Sequence, residues 1–134
     1  MKELFARAEP VVYAALRIVV GAFMMLHGLQ KLFGVLGMDA MPVGSQLWIG
    51  AVIEAVGGTL VMLGLGTRCA AFVVSGQMAV AYFQFHWRLD MSHFKWVPLV
   101  NKGELAVVYC FAFLFFCVHG PGPFSLDRAI TSKT

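Results

Sequence analysis

Four long, nearly unbroken apolar stretches dominate the chain, separated by short polar or Gly/Pro-punctuated segments. They cover residues about 11–33 (VVYAALRIVVGAFMMLHGLQKLF), 47–66 (LWIGAVIEAVGGTLVMLGLG), 67–87 (TRCAAFVVSGQMAVAYFQFHW) and 102–120 (KGELAVVYCFAFLFFCVHG). Each approaches the ~20 residues that a helix needs to cross a bilayer. None shows the two-residue alternation of a lipid-facing barrel strand. The pattern predicts an all-α integral membrane protein, a four-helix bundle in which residues 1–134 form one domain. Only Gly66-Thr67-Arg68 separates the second and third spans, which makes them antiparallel neighbours. The third connection, RLDMSHFKWVPLVN, mixes Arg88, Lys95, Phe94 and Trp96, a combination suited to the headgroup region. Pro121 and Pro123 open the tail and stop the last helix.

An even number of spans puts both termini on the same side of the membrane. That side carries Lys2, Arg7, Arg68, Arg128 and Lys133, against Lys31, Arg88, Lys95 and Lys102 on the other. The positive-inside rule then places the termini in the cytoplasm by a margin of one charge.

Composition strengthens the membrane reading. Hydrophobic residues make up 60% of the chain and charged residues 13%, too few to clothe a soluble domain of 134 residues. The net charge of +3 includes no Lys/Arg run that could follow a phosphate backbone, which excludes an ordinary nucleic-acid binder. Cys69, Cys110 and Cys117 are odd in number and sit in apolar stretches, so they read as small buried hydrophobes rather than disulfide partners or zinc ligands. The start, MKELFARAEP, mixes acids and bases ahead of an apolar run too long for a cleaved signal.

Charges inside hydrocarbon cost at least ~2.5–3.5 kcal/mol on insertion scales, so each needs a partner or a purpose. The set is Arg17, His27 and Lys31 in the first span, Glu54 in the second, His86 in the third and Glu104 in the fourth. At 100° per residue, Arg17, Gly21, Met24, His27, Gly28 and Lys31 share about a third of the first helix. Glu54 shares a stripe with Gly50, Ala51, Gly57 and Gly58, and His86 shares one with Ser75, Ala79 and Tyr82. Small residues beside polar ones mark helix–helix interfaces, so these stripes are expected to face one another. Five of the six belong to the half of the bundle that carries the long connections, while Arg17 lies ~15 Å below His27.

Glu54, His86 and Glu104 are the candidate proton-handling residues, and Arg17, His27 and Lys31 the candidate ligand-holding ones. His27 and His86 suit a proton relay, a quinone headgroup contact or an axial haem b pair. A plainer reading stands beside these. Lys31 snorkels to the interface, Glu104 is an exposed first-turn acid, Arg17 reaches the inner headgroups, and the cluster clamps the helices. Gln77 and Gln84 fall on the face of the third span opposite His86, as helix-joining or oligomer contacts. His93 and His119 are loop or end residues. No metal-ligand spacing occurs.

Five segments, LRIVVGAFMMLHGLQKLFG, IEAVGGTLVMLGLGTRCAA, AVAYFQFHW, NKGELAVVYCFAFL and GPGPFSLD, together resemble the DoxX family of bacterial inner-membrane proteins. The similarity covers nearly the whole chain, in order and at the right spacings. Lys102 departs from it, standing where the family more often has glycine, and so does RLDMSHFKW. The resemblance implies a four-helix membrane protein labelled an oxidoreductase, with relatives that serve quinone-linked thiosulfate oxidation or associate with redox-stress enzymes. A quinone cofactor and a redox partner protein follow as implications. The matching polar positions are Arg17, Gly28, Lys31, Glu54, His86, Asn101 and Glu104, and the resemblance alone adds Asn101 to the ligand-holding set.

Three functions remain open. The first is a membrane subunit that holds a quinone or relays protons beside one. It would need a partner enzyme, because the chain has no nucleotide fingerprint, Cys-x-x-Cys or iron–sulfur spacing. The second is a bis-His haem b carrier. The third is a non-catalytic assembly or transport protein, a homo-oligomer included, whose polar cluster is a clamp; no inverted repeat favours transport.

Overall fold

Glycines and one serine set the main helix boundaries. Helix α1 (Lys2–Phe33) ends where Gly34 turns left-handed at φ 63°, and α2 (Gln46–Leu63) ends likewise at Gly64, φ 71°. Ser45 starts α2, its Oγ accepting from the Trp48 amide at 3.1 Å. After a three-residue turn, α3 (Thr67–Ala81) continues into a π-helical turn, Tyr82–Trp87, which closes at left-handed Arg88. A short α4 (Pro98–Asn101), α5 (Glu104–His119) and α6 (Leu126–Thr131) complete the chain. The computed structural model describes residues 1–132, and no strand occurs among them. Lys133, one of the charges counted on the terminal side, lies outside the described residues.

Two boundaries differ from expectation. Helix α1 begins nine residues before the apolar stretch and runs through Pro10, with Glu3 in its first turn where the helix dipole favours an acid. The last span is shorter than expected, because left-handed Lys102 (φ 60°) breaks α4 from α5. By length and composition, α1 and α2 are long and apolar enough to cross a membrane. Helices α3 and α5, at 15 and 16 residues, fall below the ~20 usually needed.

Packing is by pairs. Helix α1 lies along α2 and α3 along α5, while α2 and α3 share a smaller contact that joins the pairs. In the α1–α2 seam a Cβ at Gly28 would run into the Ala55 backbone, and one at Gly58 into the Met25 amide. Only glycine allows these backbones to touch. The core fills with Tyr13, Met24, Val61, Val74, Phe113 and Phe116. Outward faces keep Phe72, Val108, Phe111 and Val118 exposed. Pairwise packing also corrects the expectation for the cysteines: Cys69 is exposed and Cys110 and Cys117 are half-buried, because the outer sides of α3 and α5 have no protein neighbour.

The tail folds back under the α2–α3 turn. Tyr13 Oη donates to the Gly120 carbonyl, and the Asp127 amide donates to the Gly64 carbonyl at 2.9 Å. Gly66 begins α3 without a side chain to cap it, and Asp127 supplies the missing acceptor. Its carboxylate accepts from the Gly66 amide at 2.8 Å, the Thr67 amide at 3.1 Å and Thr67 Oγ1 at 3.2 Å. Partial burial pushes the Asp127 carboxyl up, but these hydrogen bonds and the nearby Arg17 charge outweigh it and hold the group below its ordinary range.

Candidate functional site

Met24, His27 and Lys31 recur at three- and four-residue spacing, so one face of α1 presents all three. Lys31 Nζ reaches both oxygens of Glu54 at 2.7 Å, a two-point ion pair between α1 and α2. The Glu54 side chain is 1% exposed and that of Lys31 26%. Gln77, from α3, donates its Nε2 to Glu54 Oε1 at 3.1 Å. One buried carboxylate thus gathers donors from two other helices.

Next to this pair lies a cavity of about 220 Å³, walled by His27, Lys31, Glu54, His86, Lys102 and Tyr109 among others. The His27 ring meets Tyr109 edge-on, centroids 6.0 Å apart. His86 stands on the π-helical turn, whose wider winding shifts the phase of every later side chain relative to an α-helix. Its Nδ1 lies 3.3 Å from the Asn101 backbone carbonyl, which favours the tautomer protonated at that nitrogen. A second cavity, between α2 and α3, touches the other side of the same ion pair.

Of the residues expected at the site, His27, Lys31, Glu54 and His86 come together around the first cavity. Three others stand apart. Arg17 is fully buried at the opposite end, where its Nη2 donates to the Phe124 carbonyl of the returning tail at 2.8 Å. Asn101 spends its side chain locally, donating to the Lys95 carbonyl and accepting from the Gly103 amide, both at 2.8 Å. It meets His86 only through its backbone oxygen. Glu104 is exposed on the first turn of α5 and lines neither cavity that the ion pair borders, as the plainer reading of it holds. Lys31, by contrast, is paired with Glu54.

Three residues of the site were not anticipated. In the sequence Lys102 stands out as a departure from the family pattern and as a charge of the connection side, not as a lining residue. Tyr109 was hidden inside an apolar run. Gln77 joins helices, as Gln84 does by accepting from Gln46, and it lines the second cavity while His86 lines the first. The face it occupies is the one turned to Glu54, so it belongs to the site as well. Depth along facing helices was the signal that could have found it.

Chemically, the first cavity offers a compensated carboxylate, two cations and two imidazoles, set against apolar walls. Such groups can donate hydrogen bonds to a carbonyl, and an imidazole can carry its proton on either ring nitrogen.

A family model described as DoxX matches residues 12–87, from α1 through the turn that carries His86. An uncharacterized protein of Haemophilus influenzae (strain ATCC 51907 / DSM 11121 / KW20 / Rd) is 39% identical over 129 residues, which cover 93% of this chain and 95% of the relative. No solved structure matches the chain.

Proposed function

The chain belongs to the DoxX family, and from that premise we propose a small multi-pass protein of a bacterial inner membrane that holds a quinone headgroup and exchanges protons with it. In this reading α1, α2, α3 with its π turn, and α5 form a four-span bundle with both termini in the cytoplasm. The exposed apolar residues of α3 and α5 support it, and a bilayer can thin around short helices at modest cost. One observation carries the functional proposal: two histidines from different helices converge on a single cavity with a Lys–Glu pair whose carboxylate is buried.

The residues fit a quinone headgroup. At about 220 Å³ the cavity is below the roughly 300–1,000 Å³ of ordinary ligand pockets, room for one ring with its tail outside. A haem is much larger, which favours the quinone over the bis-His haem reading. When bound, a quinone supplies a two-electron acceptor. Lys31 and Lys102 present cationic N–H donors to a carbonyl oxygen. His27 and His86 hold transferable protons at their ring nitrogens. Glu54 keeps Lys31 in place and balances its charge. Electrons would come from a partner redox enzyme, since no sequence element of this chain is built to deliver them.

Titration of the protein in lipid nanodiscs with a short-tailed ubiquinone tests the proposal. We expect saturable binding near one equivalent, weakened at least tenfold by His86→Phe or Lys31→Met. Binding no greater than in empty nanodiscs would contradict it.

The clamp reading also draws on a specific feature, the three helices tied together at Glu54. It differs in outcome: a clamp alone predicts that Glu54→Gln lowers the melting temperature and that no quinone binds to the folded fraction.

A further inference from the structure

Three tyrosines occur in the chain, and all three are buried. A buried phenol ordinarily gives its proton to an acceptor, because a donor removed from water without one loses free energy. Tyr13 Oη donates to the Gly120 carbonyl and Tyr82 Oη to the Trp96 carbonyl. Tyr109 differs. It makes ring contacts with His27 and Phe113, but its hydroxyl has no hydrogen-bond partner among the described residues.

That hydroxyl is not sealed in apolar packing. The unpartnered polar atoms closed off inside the protein are Arg17 Nε and Nη1, Gln77 Oε1 and Trp87 Nε1, and Tyr109 Oη is not one of them. It therefore borders open space. Ala106, Tyr109, Phe113 and Phe116 form the buried stripe of α5, so this space lies within the bundle and not on its outer face. Tyr109 lines the first cavity, together with Leu105 and Ala106 one turn earlier. Long side chains on a helix slant toward its N-terminus, which carries the phenolic end of Tyr109 over that same turn. His27 holds the ring edge-on at 6.0 Å and Phe113 meets it at 6.2 Å, so its orientation is fixed before any ligand arrives.

We infer that Tyr109 is a ligand-holding residue whose hydroxyl donates a hydrogen bond to one carbonyl oxygen of the quinone ring, an inference that rests on the quinone reading of the first cavity. Lys31 and Lys102 offer donors that bring charge with them. The phenol is a neutral donor, suited to the uncharged carbonyl of an oxidised ring. It also sets a requirement on the ligand: a ring without an acceptor at that place leaves the hydroxyl unpaired, and a site built this way rejects such an analogue.

Infrared difference spectroscopy of nanodisc-embedded protein with a short-tailed ubiquinone, carbon-13 labelled at one ring carbonyl at a time, tests the assignment. We expect the stretching band of one carbonyl to lie below its position in empty nanodiscs and to move back up in Tyr109→Phe, while the band of the other stays. Binding should weaken about fivefold, the usual net worth of one hydrogen bond. Without quinone the variant should melt with the unaltered protein, because the deleted hydroxyl has no partner within the described chain. Unmoved bands in Tyr109→Phe, even with weaker binding, or a lowered melting temperature without quinone, would make the hydroxyl a packing element. Either result would overturn the inference and leave the quinone reading in place. Absence of saturable quinone binding to the unaltered protein would overturn both.

Discussion

Glu54 lies near the middle of α2 at 1% exposure, and its stability rests on groups that other helices supply. Removing one member of such a pair strands the other charge, at a cost of about 3–5 kcal/mol for buried pairs. Lys31→Met should therefore destabilise by about 3 kcal/mol, the lower end because Lys31 is a quarter exposed. The double variant Lys31→Met, Glu54→Leu should recover part of that loss, and a double-mutant cycle of unfolding free energies checks it. An additive cycle would mean that the pair carries no coupling. The pair could be read from sequence: Lys31 near the end of one span and Glu54 a few residues into the next lie at similar depth, on faces lined with small residues. Arg17 and Glu104 could not be placed this way. Helical phase locates a side chain on its own helix but says nothing of the tail that covers Arg17 or the open turn that leaves Glu104 outside.

Elements show the same division between local and long-range information. The apolar stretches locate the helices, whereas the π turn at Tyr82–Trp87 has no signature in apolar periodicity, and it decides where His86 points. Deleting Phe85 would take one residue out of the turn and rotate His86 by about 100° relative to α3. Quinone binding should then fall as far as in His86→Phe, while the circular dichroism of the helices stays. The α1–α2 seam is equally sensitive. In Gly28→Ala the new methyl meets the Ala55 backbone, so we expect a loss of about 1–3 kcal/mol in thermal or denaturant unfolding.

Asp127 acts on an element from 60 residues away by capping α3. Its loss in Asp127→Ala should cost about 1 kcal/mol. Its folded pKa is depressed, so this contribution is present above the ordinary carboxylate range and fades as pH falls through the lower folded value. The gap between wild type and Asp127→Ala should therefore narrow in strongly acidic solution.

At the scale of the whole molecule, two helix pairs share a polar centre displaced toward one end, while the tail closes the other. The short α2–α3 turn forces neighbours and was readable. That α3 packs most closely on α5 was not, because it depends on the fit of Val74, Phe113 and Phe116 rather than on connection length. Orientation also belongs to this scale. With the native cysteines replaced, Ser132→Cys should react with an impermeant thiol reagent only from the cytoplasmic side; labelling from the periplasmic side would reverse the proposed topology.

In the proposed function His27, Lys31, Glu54 and His86 surround a quinone headgroup. Photolabelling the nanodisc-embedded protein with an azidoquinone, followed by peptide mapping, tests it most directly. Label is expected on the cavity-lining segments 24–31, 82–87 and 102–109, suppressed by excess unlabelled quinone. Label spread over the outer faces of the helices, or unaffected by competitor, would contradict it.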